Sequence, residues 1–349
     1  MLLSDAVKPL FAGTELRYPQ FLPQCPVCTA TASKELFVLR GFSHRQCRGC
    51  GFIFVNPRLS DEGARIYYNS EYYRQYCDNN ERPINEVFGP YCRTFGPGLP
   101  DFVDRLRALC PRGRVVDVGC GLGALLASLP ATDFERVGVE YNEAAARFAR
   151  EHFGLRIVPD LADLRGAGTG FDLVTAIEVI EHVADPLACM QDLAQLLLPT
   201  GVLVVTTPNI GGLDYHLHGR QCAHFCAPSH VNFFTVETLT RLAARAGLQR
   251  QDYGYRGGVV SYVHWWRTRR ADVDFWSPEA PTRNSANLVY RPRHGGPVIL
   301  PAPQSLAPAA TAGAARAPRL AFLRGLANRL LNGLFAQTQM IVVFRRAAG

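Results

Sequence analysis

The sequence predicts an α/β fold: a doubly wound, mostly parallel sheet with a small cysteine-bearing module in front of it. Three observations carry this. From Arg114 onward, apolar runs of strand length alternate with segments of helical period, an order that calls for a parallel sheet with helices on both faces. The first run ends in a glycine-rich turn, Gly119-Cys120-Gly121-Leu122-Gly123. Ahead of it stand two Cys-x-x-Cys pairs, Cys25/Cys28 and Cys47/Cys50.

Taken in order, residues 114–119 (RVVDVG) read as the first strand and Ala124 to Leu129 as a short helix. RVGVE at 136–140 is the second strand, Glu143 to His152 a helix, LRIVP at 155–159 a third strand and FDLVTAIEV at 171–179 a longer apolar one. Asp185 is placed to cap the next helix, with Pro186 in its first turn, where a missing N–H costs least. Leu187, Met190, Leu193, Ala194 and Leu197 recur at helical spacing and give that helix one apolar face. Gly201 opens the strand VLVVTT, Thr235 opens the helix VETLTRLAARA, and Gly247 closes it. Upstream, Asp101 to Cys110 is helix-like, and QMIVVFRR at 339–346 is a final strand.

The 349 residues suggest about two domains, or one domain with large additions. The organisation reads as a cysteine module at 1–60, a Tyr- and Arg-rich helical linker at 61–110, and the main domain at 111–277. A Pro/Ala-rich insertion follows at 278–318, then an amphipathic helix and last strand at 319–349. With 48% hydrophobic residues the chain has ample material for a core. No run reaches the roughly 18 apolar residues of a membrane helix, and the start has no basic-then-apolar leader, so the expected location is cytoplasmic. The net charge of +7 is uneven: residues 264–349 carry +9 and the remainder −2. A near-neutral body argues against nucleic acid as a partner, since that function needs a basic stripe across the folded part.

Eleven cysteines is an odd number, scattered without a secretion signal, which disfavours a disulfide framework. The four in Cys-x-x-Cys pairs, eighteen residues apart, suit tetrahedral Zn²⁺ held by thiolates, with glycines at 49 and 51 for the tight turns. Four thiolates leave no open position, so the zinc is expected to be structural. His44 is a possible substitute ligand that four cysteines make unnecessary.

The glycine turn alone admits two readings. Gly119-x-Gly121-x-x-Ala124 fits the relaxed dinucleotide fingerprint. Asp117, inside the turn, opposes a pyrophosphate and favours an ammonium. Glu140 ends the second strand 21 residues after Gly119, where a carboxylate can accept from both ribose hydroxyls.

With DVGCGLG, Glu140, PDLADL at 159–164, FDLVTAIEVIEHVADP at 171–186 and LLLPTGVLVVTTPN at 196–209 in this order, the chain resembles the class I S-adenosylmethionine-dependent methyltransferases. The resemblance covers about residues 100–250 together with the last strand. It implies their Rossmann-like seven-stranded sheet, with the last strand antiparallel, and S-adenosylmethionine as cofactor. It assigns cofactor binding to Asp117, Gly119, Cys120, Gly121, Glu140, Tyr141, Asp160, Leu161 and Glu178. The cysteine pairs running into FVNPRL, then Tyr67–Tyr68 and Tyr72–Tyr73, resemble the subgroup with an N-terminal zinc ribbon, which includes sugar C-methyltransferases and enzymes of other small metabolites. A small-molecule or nucleotide-sugar substrate is implied. The alternative is a nucleic-acid-binding methyltransferase or adaptor that reads through the ribbon. The tyrosines would either cover the cofactor pocket or pack the module on the main domain.

The segment after the fifth strand holds His216, His218, His224 and His230 with Cys222 and Cys226. It lies on the carboxyl side of the sheet, where ligands bind in such folds. Three readings compete: a substrate-covering loop with a catalytic histidine (His230 first, His224 second), a second metal site, and a packed loop. Sugar C-methyltransferases carry a Glu-His pair before a Phe-Phe run, whereas here Ser229-His230 precedes Asn232-Phe233-Phe234. The missing carboxylate weakens that substrate assignment. Glu178 is expected to face the cofactor, and His182 to be a structural histidine.

Overall fold

The computed structural model describes residues 19–39, 42–69, 98–164, 170–212, 215–216, 219–222, 224–256 and 339–347. The expectations for the insertion at 278–318, for the helix before the last strand, for the Tyr68 side chain and for Tyr72, Tyr73 and His218 lie outside them.

The N-terminal part is built of short strands: β1 (Pro19–Gln20), β2 (Ser33–Leu39), β3 (Phe42–Cys47), β4 (Ile53–Val55) and β5 (Arg58–Leu59), followed by α1 (Asp61–Asn69). β1 pairs with β5, and β2, β3 and β4 form an antiparallel meander. Alternation sets its two faces. Phe52 and Phe54 join the core beneath the main sheet, while Ile53 and Val55 join a separate cluster with Phe225, Val231 and Phe233.

The main domain runs α2 (Gly98–Leu109), β6 (Gly113–Val118), α3 (Ala124–Ser128), β7 (Phe134–Val139), α4 (Glu143–Phe153), β8 (Arg156–Val158), β9 (Phe171–Ile177), α5 (Pro186–Leu196), β10 (Leu197–Pro208), β11 (Asn232–Phe233), α6 (Val236–Arg245), β12 (Leu248–Arg256) and β13 (Gln339–Arg346). The sheet order is β12-β13-β10-β9-β6-β7-β8. β10, β9, β6, β7 and β8 are parallel, and β13 is antiparallel to both neighbours, as expected from the sequence. The period of two along the strands feeds two cores. Val116, Val174, Leu203 and Val205 meet Met190 and Leu193 of α5 and Leu239 and Leu242 of α6. Val115, Leu173, Val202 and Val204 meet Phe102 and Leu106 of α2, Leu126 of α3 and Ala149 of α4.

Helix starts follow the sequence signals. Asp185 accepts from Leu187 and Ala188 N–H, Asn142 caps α4, and Thr235 and Thr238 form a reciprocal capping box on α6. Each cap contributes about 1 kcal/mol. Two elements differ from expectation. β10 starts at Leu197 instead of Gly201 and absorbs Pro199-Thr200-Gly201 through a register shift before Val202. β12 was not foreseen, because LQRQDYGYR lacks apolar alternation; among the described strands it pairs with β13, at the edge of the sheet, and Leu248 anchors it in the core.

Strand order reverses between β6 and β9, and the carboxyl ends on either side of that reversal are where a ligand crevice forms in open α/β sheets. The segment between β10 and α6 ends over this edge. Its β11 leaves the main domain to pair antiparallel with β4, so the N-terminal sheet has four strands, one of them lent by the main domain.

Candidate active site

β6 delivers the glycine turn to the reversal point. Gly119 sits at φ +71°, and a Cβ there would come 2.7 Å from Val179 Cγ2, so a side chain would force the two turns apart. Its N–H and that of Cys120 donate to the Val139 carbonyl, which ties the turn to the end of β7. Glu140, the next residue along, completes the tie: Oε2 accepts from Gly121 N–H at 2.9 Å and Oε1 from Asn142 N–H at 2.8 Å. Both carboxylate oxygens are thus oriented and each keeps a lone pair. Burial raises the Glu140 pKa, and the three backbone N–H groups around it pull the other way.

Asp117 is buried at 3% exposure, and its Oδ1 accepts from Thr175 Oγ1 of β9 at 2.7 Å. Burial pushes its pKa up to about 7; the Thr175 bond lowers it and the Glu140 charge raises it. Past β8, Asp160 Oδ1 accepts from Ala162 N–H and so starts the 3₁₀ turn Leu161–Leu164. Asp160 Oδ2 pairs with Arg65 of α1, so the N-terminal segment reaches over this end of the crevice.

On the other side of β6, the turn after β9 carries Glu178, Glu181 and His182. Glu178 takes a left-handed φ of 55°. It donates its N–H to Thr206 O and accepts from Thr206 Oγ1 at 2.8 Å and Gln339 Nε2 at 3.2 Å. Glu181 is 1% exposed; Oε2 accepts from Thr207 Oγ1 at 2.9 Å, and Oε1 lies 3.8 Å from His182 Nε2. Burial, then the neighbouring Glu178 charge, holds the Glu181 carboxyl well above its ordinary pKa. The segment before β11 closes on this turn: Val231 and Asn232 N–H both donate to Glu181 O. The His182 and His230 rings meet edge to face, centroids 4.7 Å apart. His182 Nδ1 lies 2.9 Å from Ser229 O, and His230 Nδ1 lies 3.0 Å from His224 O. Burial pushes His182 down to about 4, with the Ser229 carbonyl opposing; burial, then the His182 and His224 rings, holds His230 well below the ordinary imidazole value, with the His224 carbonyl opposing.

In the N-terminal sheet the four cysteine sulfurs all lie within 4.8 Å of one another. The Cys25–Cys50 and Cys28–Cys47 pairs are 3.7 and 3.5 Å apart. Zn–S bonds of about 2.3 Å put the sulfurs of a tetrahedral site about 3.8 Å apart, so the cluster fits that ion. Left-handed Thr29 (φ 62°) and Gly51 (φ 78°) make the two turns, and Gly49 N–H donates to Cys47 Sγ. His44 is not a fifth candidate. It is fully buried between Phe37 and Phe233, a packed core histidine.

These features suit methyl transfer, and comparison with known proteins decides the family. The family model described as a methyltransferase domain matches residues 92–251. The ubiquinone biosynthesis O-methyltransferase of Aromatoleum aromaticum is 31% identical over 207 residues, which cover 55% of this chain and 84% of that protein. The chain belongs to the class I S-adenosylmethionine-dependent methyltransferases. The protein of the same name from Cereibacter sphaeroides is 33% identical over 164 residues, 44% of this chain; the chain spans 66% of that relative's length. Among solved structures, the magnesium protoporphyrin IX methyltransferase of Synechocystis PCC 6803 with bound SAH overlays on 55% of this chain and 91% of its own, at 18% identity and a TM-score of 0.43.

For a class I methyltransferase, the residues named from sequence fall into two groups. Asp117, Gly119, Gly121 and Glu140 meet at one point, with Asp160 and Leu161 at the far end of the crevice and Tyr141, 39% exposed, following Glu140. Cys120 turns its side chain toward Gly138 and Leu126 in the core, so only its backbone borders the turn. Tyr67 packs with Ile53, Leu59 and Phe233, which supports the packing reading for this tyrosine. The His/Cys segment is not gathered into one metal set. Cys222 is buried among aromatic residues and His216 is exposed; among the described residues of that segment only His230 joins a potential ligand group, with Glu181 and His182. Sequence reasoning missed this convergence, since nothing in the spacing links positions 48 residues apart. Arg58 was also missed, although FVNPRL contains it.

Proposed function

We propose that this chain transfers a methyl group from S-adenosylmethionine to a hydroxyl of a small-molecule acceptor, with a structural zinc ion held by Cys25, Cys28, Cys47 and Cys50. The observation that carries the reading is the Glu140 carboxylate, fixed by Gly121 and Asn142 N–H beside a left-handed glycine turn. A carboxylate so held keeps one lone pair per oxygen for two vicinal hydroxyls, the recognition a ribose needs.

In this reading Asp117 takes the cofactor's ammonium, Gly119, Cys120 and Gly121 offer close backbone approach, and Glu140 takes the ribose. Tyr141, Asp160 and Leu161 flank the adenine, and Glu178 borders the reacting end. S-adenosylmethionine supplies a methyl group already activated on a sulfonium. What the protein adds is alignment, which in well-oriented pairs is worth roughly 7–11 kcal/mol. An acceptor hydroxyl must also lose its proton, and the acceptor side carries Glu178, Glu181, His182 and His230 for that purpose. The Ser229 and His224 carbonyls accept from the two imidazoles and fix their orientation, which gives His224 a positioning role through its backbone.

Oxygen as the acceptor atom is supported by the names of the relatives, ubiquinone biosynthesis O-methyltransferases. Sugar C-methylation is disfavoured: position 229 is a serine whose carbonyl binds His182. The test is calorimetric. S-adenosylhomocysteine should bind with one-to-one stoichiometry and NADH should not; the reverse overturns the reading.

A further inference from the structure

The adenine end of the crevice lies at the margin of the main sheet. Among the described strands β8 is the edge strand, so no further strand walls the crevice beyond it. Tyr141 and Asp160 follow neighbouring strand ends there: Glu140 N–H donates to Val158 O at 3.0 Å, which ties the end of β7 to the end of β8. The next turn is built around Asp160. Its Oδ1 accepts from Ala162 N–H at 3.0 Å, its N–H donates to Asp163 Oδ2 at 3.2 Å, and Leu164 anchors the turn in the core.

The group that meets this margin comes from the N-terminal segment. Ser60 starts α1: its Oγ accepts from Gly63 N–H and its carbonyl from Ala64 N–H. Ala64 and Tyr67, three positions apart and so on one face of the helix, join the cluster of Ile53, Leu59 and Phe233. Arg65 is turned from Ala64 by about 100° around the helix axis and leaves on another face, where it pairs with Asp160 Oδ2. Its charge also acts on the Tyr141 phenol, opposing the rise in pKa that burial and then the Glu140 charge impose. One guanidinium is thus in electrostatic reach of two residues assigned to the adenine.

We propose that Arg65 is a positioning residue for the cofactor: by clasping Asp160 it draws α1 across the outer end of the crevice and slows the departure of S-adenosylhomocysteine. This role rests on the methyltransferase reading, in which the Asp160 turn flanks the adenine. A ligand covered by a second chain segment leaves when that segment opens, so the strength of the clasp is read in a dissociation rate. The two side chains are 59% and 41% exposed, which makes the clasp modest in strength and sensitive to salt.

The test is the dissociation rate of S-adenosylhomocysteine from the immobilised full-length protein, read by surface plasmon resonance at about 20 mM and about 500 mM salt. Arg65→Gln should raise that rate about threefold to fivefold at low salt, the range an exposed ion pair can supply. The ratio of variant to wild type should fall toward one at high salt, which loss of packing would not produce. Arg65→Lys keeps the charge and should recover part of the loss. Asp160→Asn keeps an acceptor for Ala162 N–H and removes the charge. In that background Arg65→Gln should add little, because both changes break the same pair. A rate in Arg65→Gln equal to wild type at low salt, or an equal rise in the Asp160→Asn background, overturns the clasp and leaves the methyltransferase reading standing. Failure of wild type to bind S-adenosylhomocysteine at all overturns that reading and the clasp with it.

Discussion

Arg58 donates to Asn232 Oδ1 at 2.7 Å across 174 residues of sequence, in a contact closed to water. The same guanidinium serves Val55 O, Ala184 O and Val231 O, so one side chain joins β4, the turn before α5 and the segment carrying His230. Arg58 is 1% exposed, and burial pulls its pKa down to about 9 against the attraction of Asp185. The N-terminal sheet is thereby fastened to the segment that carries His230.

Replacing Arg58 tests this link. Arg58→Lys keeps the charge but cannot serve four acceptors in a planar fork. Leaving buried acceptors unpaired should cost about 3 kcal/mol or more, read as a shift in the urea midpoint. Under conditions where the variant is folded, the acceptor KM should rise more than the dissociation constant of S-adenosylhomocysteine. Equal losses in both would mean that Arg58 supports the fold without shaping the acceptor side.

The thiolate cluster yields a second expectation. About one equivalent of zinc should copurify, and Cys47→Ser should lower that content and destabilise the N-terminal sheet. Structural zinc binding is worth on the order of 10 kcal/mol in small modules, so chelation should lower Tm by several degrees or more. Because β11 pairs with β4, chelation should also impair turnover before the cofactor site is lost. Full activity and unchanged Tm after complete zinc removal would remove the structural role.

How much of this was legible in the sequence depends on the range of the interactions. The parallel sheet was legible because Val115 to Val118, Val202 to Val205 and their helices repeat local periods, and caps such as Asp185 are local too. The meeting of the glycine turn with Glu140 was legible for a related reason: Gly119, Gly121 and Glu140 lie within one strand–helix–strand unit. The approach of His230 to Glu181 was not: their segments are joined by Val231 and Asn232 N–H on Glu181 O and by the β11–β4 pairing, a pairing of two residues that no period announces. His182 was read as a structural histidine, and its bond to Ser229 O agrees, yet its ring also faces His230. β12 escaped because an edge strand can be polar on both faces.

Asp117 should make cofactor binding pH-dependent. Its pKa is about 7 in the fold against 3.8 for the free side chain, so between those values the folded state binds the extra proton. Stability from this group therefore falls as pH rises through that window, by up to about 4 kcal/mol, and stays low above it. A cofactor ammonium favours the ionised carboxylate, so binding should release a proton below pH 7. Affinity for S-adenosylhomocysteine should rise up to about tenfold per pH unit between pH 5 and 7. Calorimetry in buffers of different ionisation enthalpy reads the proton directly, and Asp117→Asn should abolish the release. A flat profile in wild type would separate Asp117 from the ammonium.

Glu140→Ala should weaken S-adenosylhomocysteine binding about tenfold or more, since each unpaired polar end costs roughly 1–3 kcal/mol. The Gly121 and Asn142 N–H groups lose their acceptor as well, so the turn itself loosens. Glu140→Gln separates the two effects: its single carbonyl oxygen can keep one backbone bond while the charge is lost. If both variants bind as wild type does, the ribose is held elsewhere.

His230→Ala carries the acceptor-side assignment. Its ring is held by His224 O and faces His182, on a segment whose backbone is tied to Glu181. Removing it should lower turnover by roughly 10²–10⁴ while the dissociation constant of S-adenosylhomocysteine stays almost unchanged, because the partners described for its ring, His182 and the His224 carbonyl, are outside the proposed cofactor set. The cofactor crevice on β6 and β7 keeps Asp117, Gly121 and Glu140 intact in this variant, so binding is an internal control on folding. A small loss of turnover accompanied by a lower Tm would instead make His230 a packing residue, and would move the search for the acceptor's proton path to Glu178, which borders Thr206 at the end of β10.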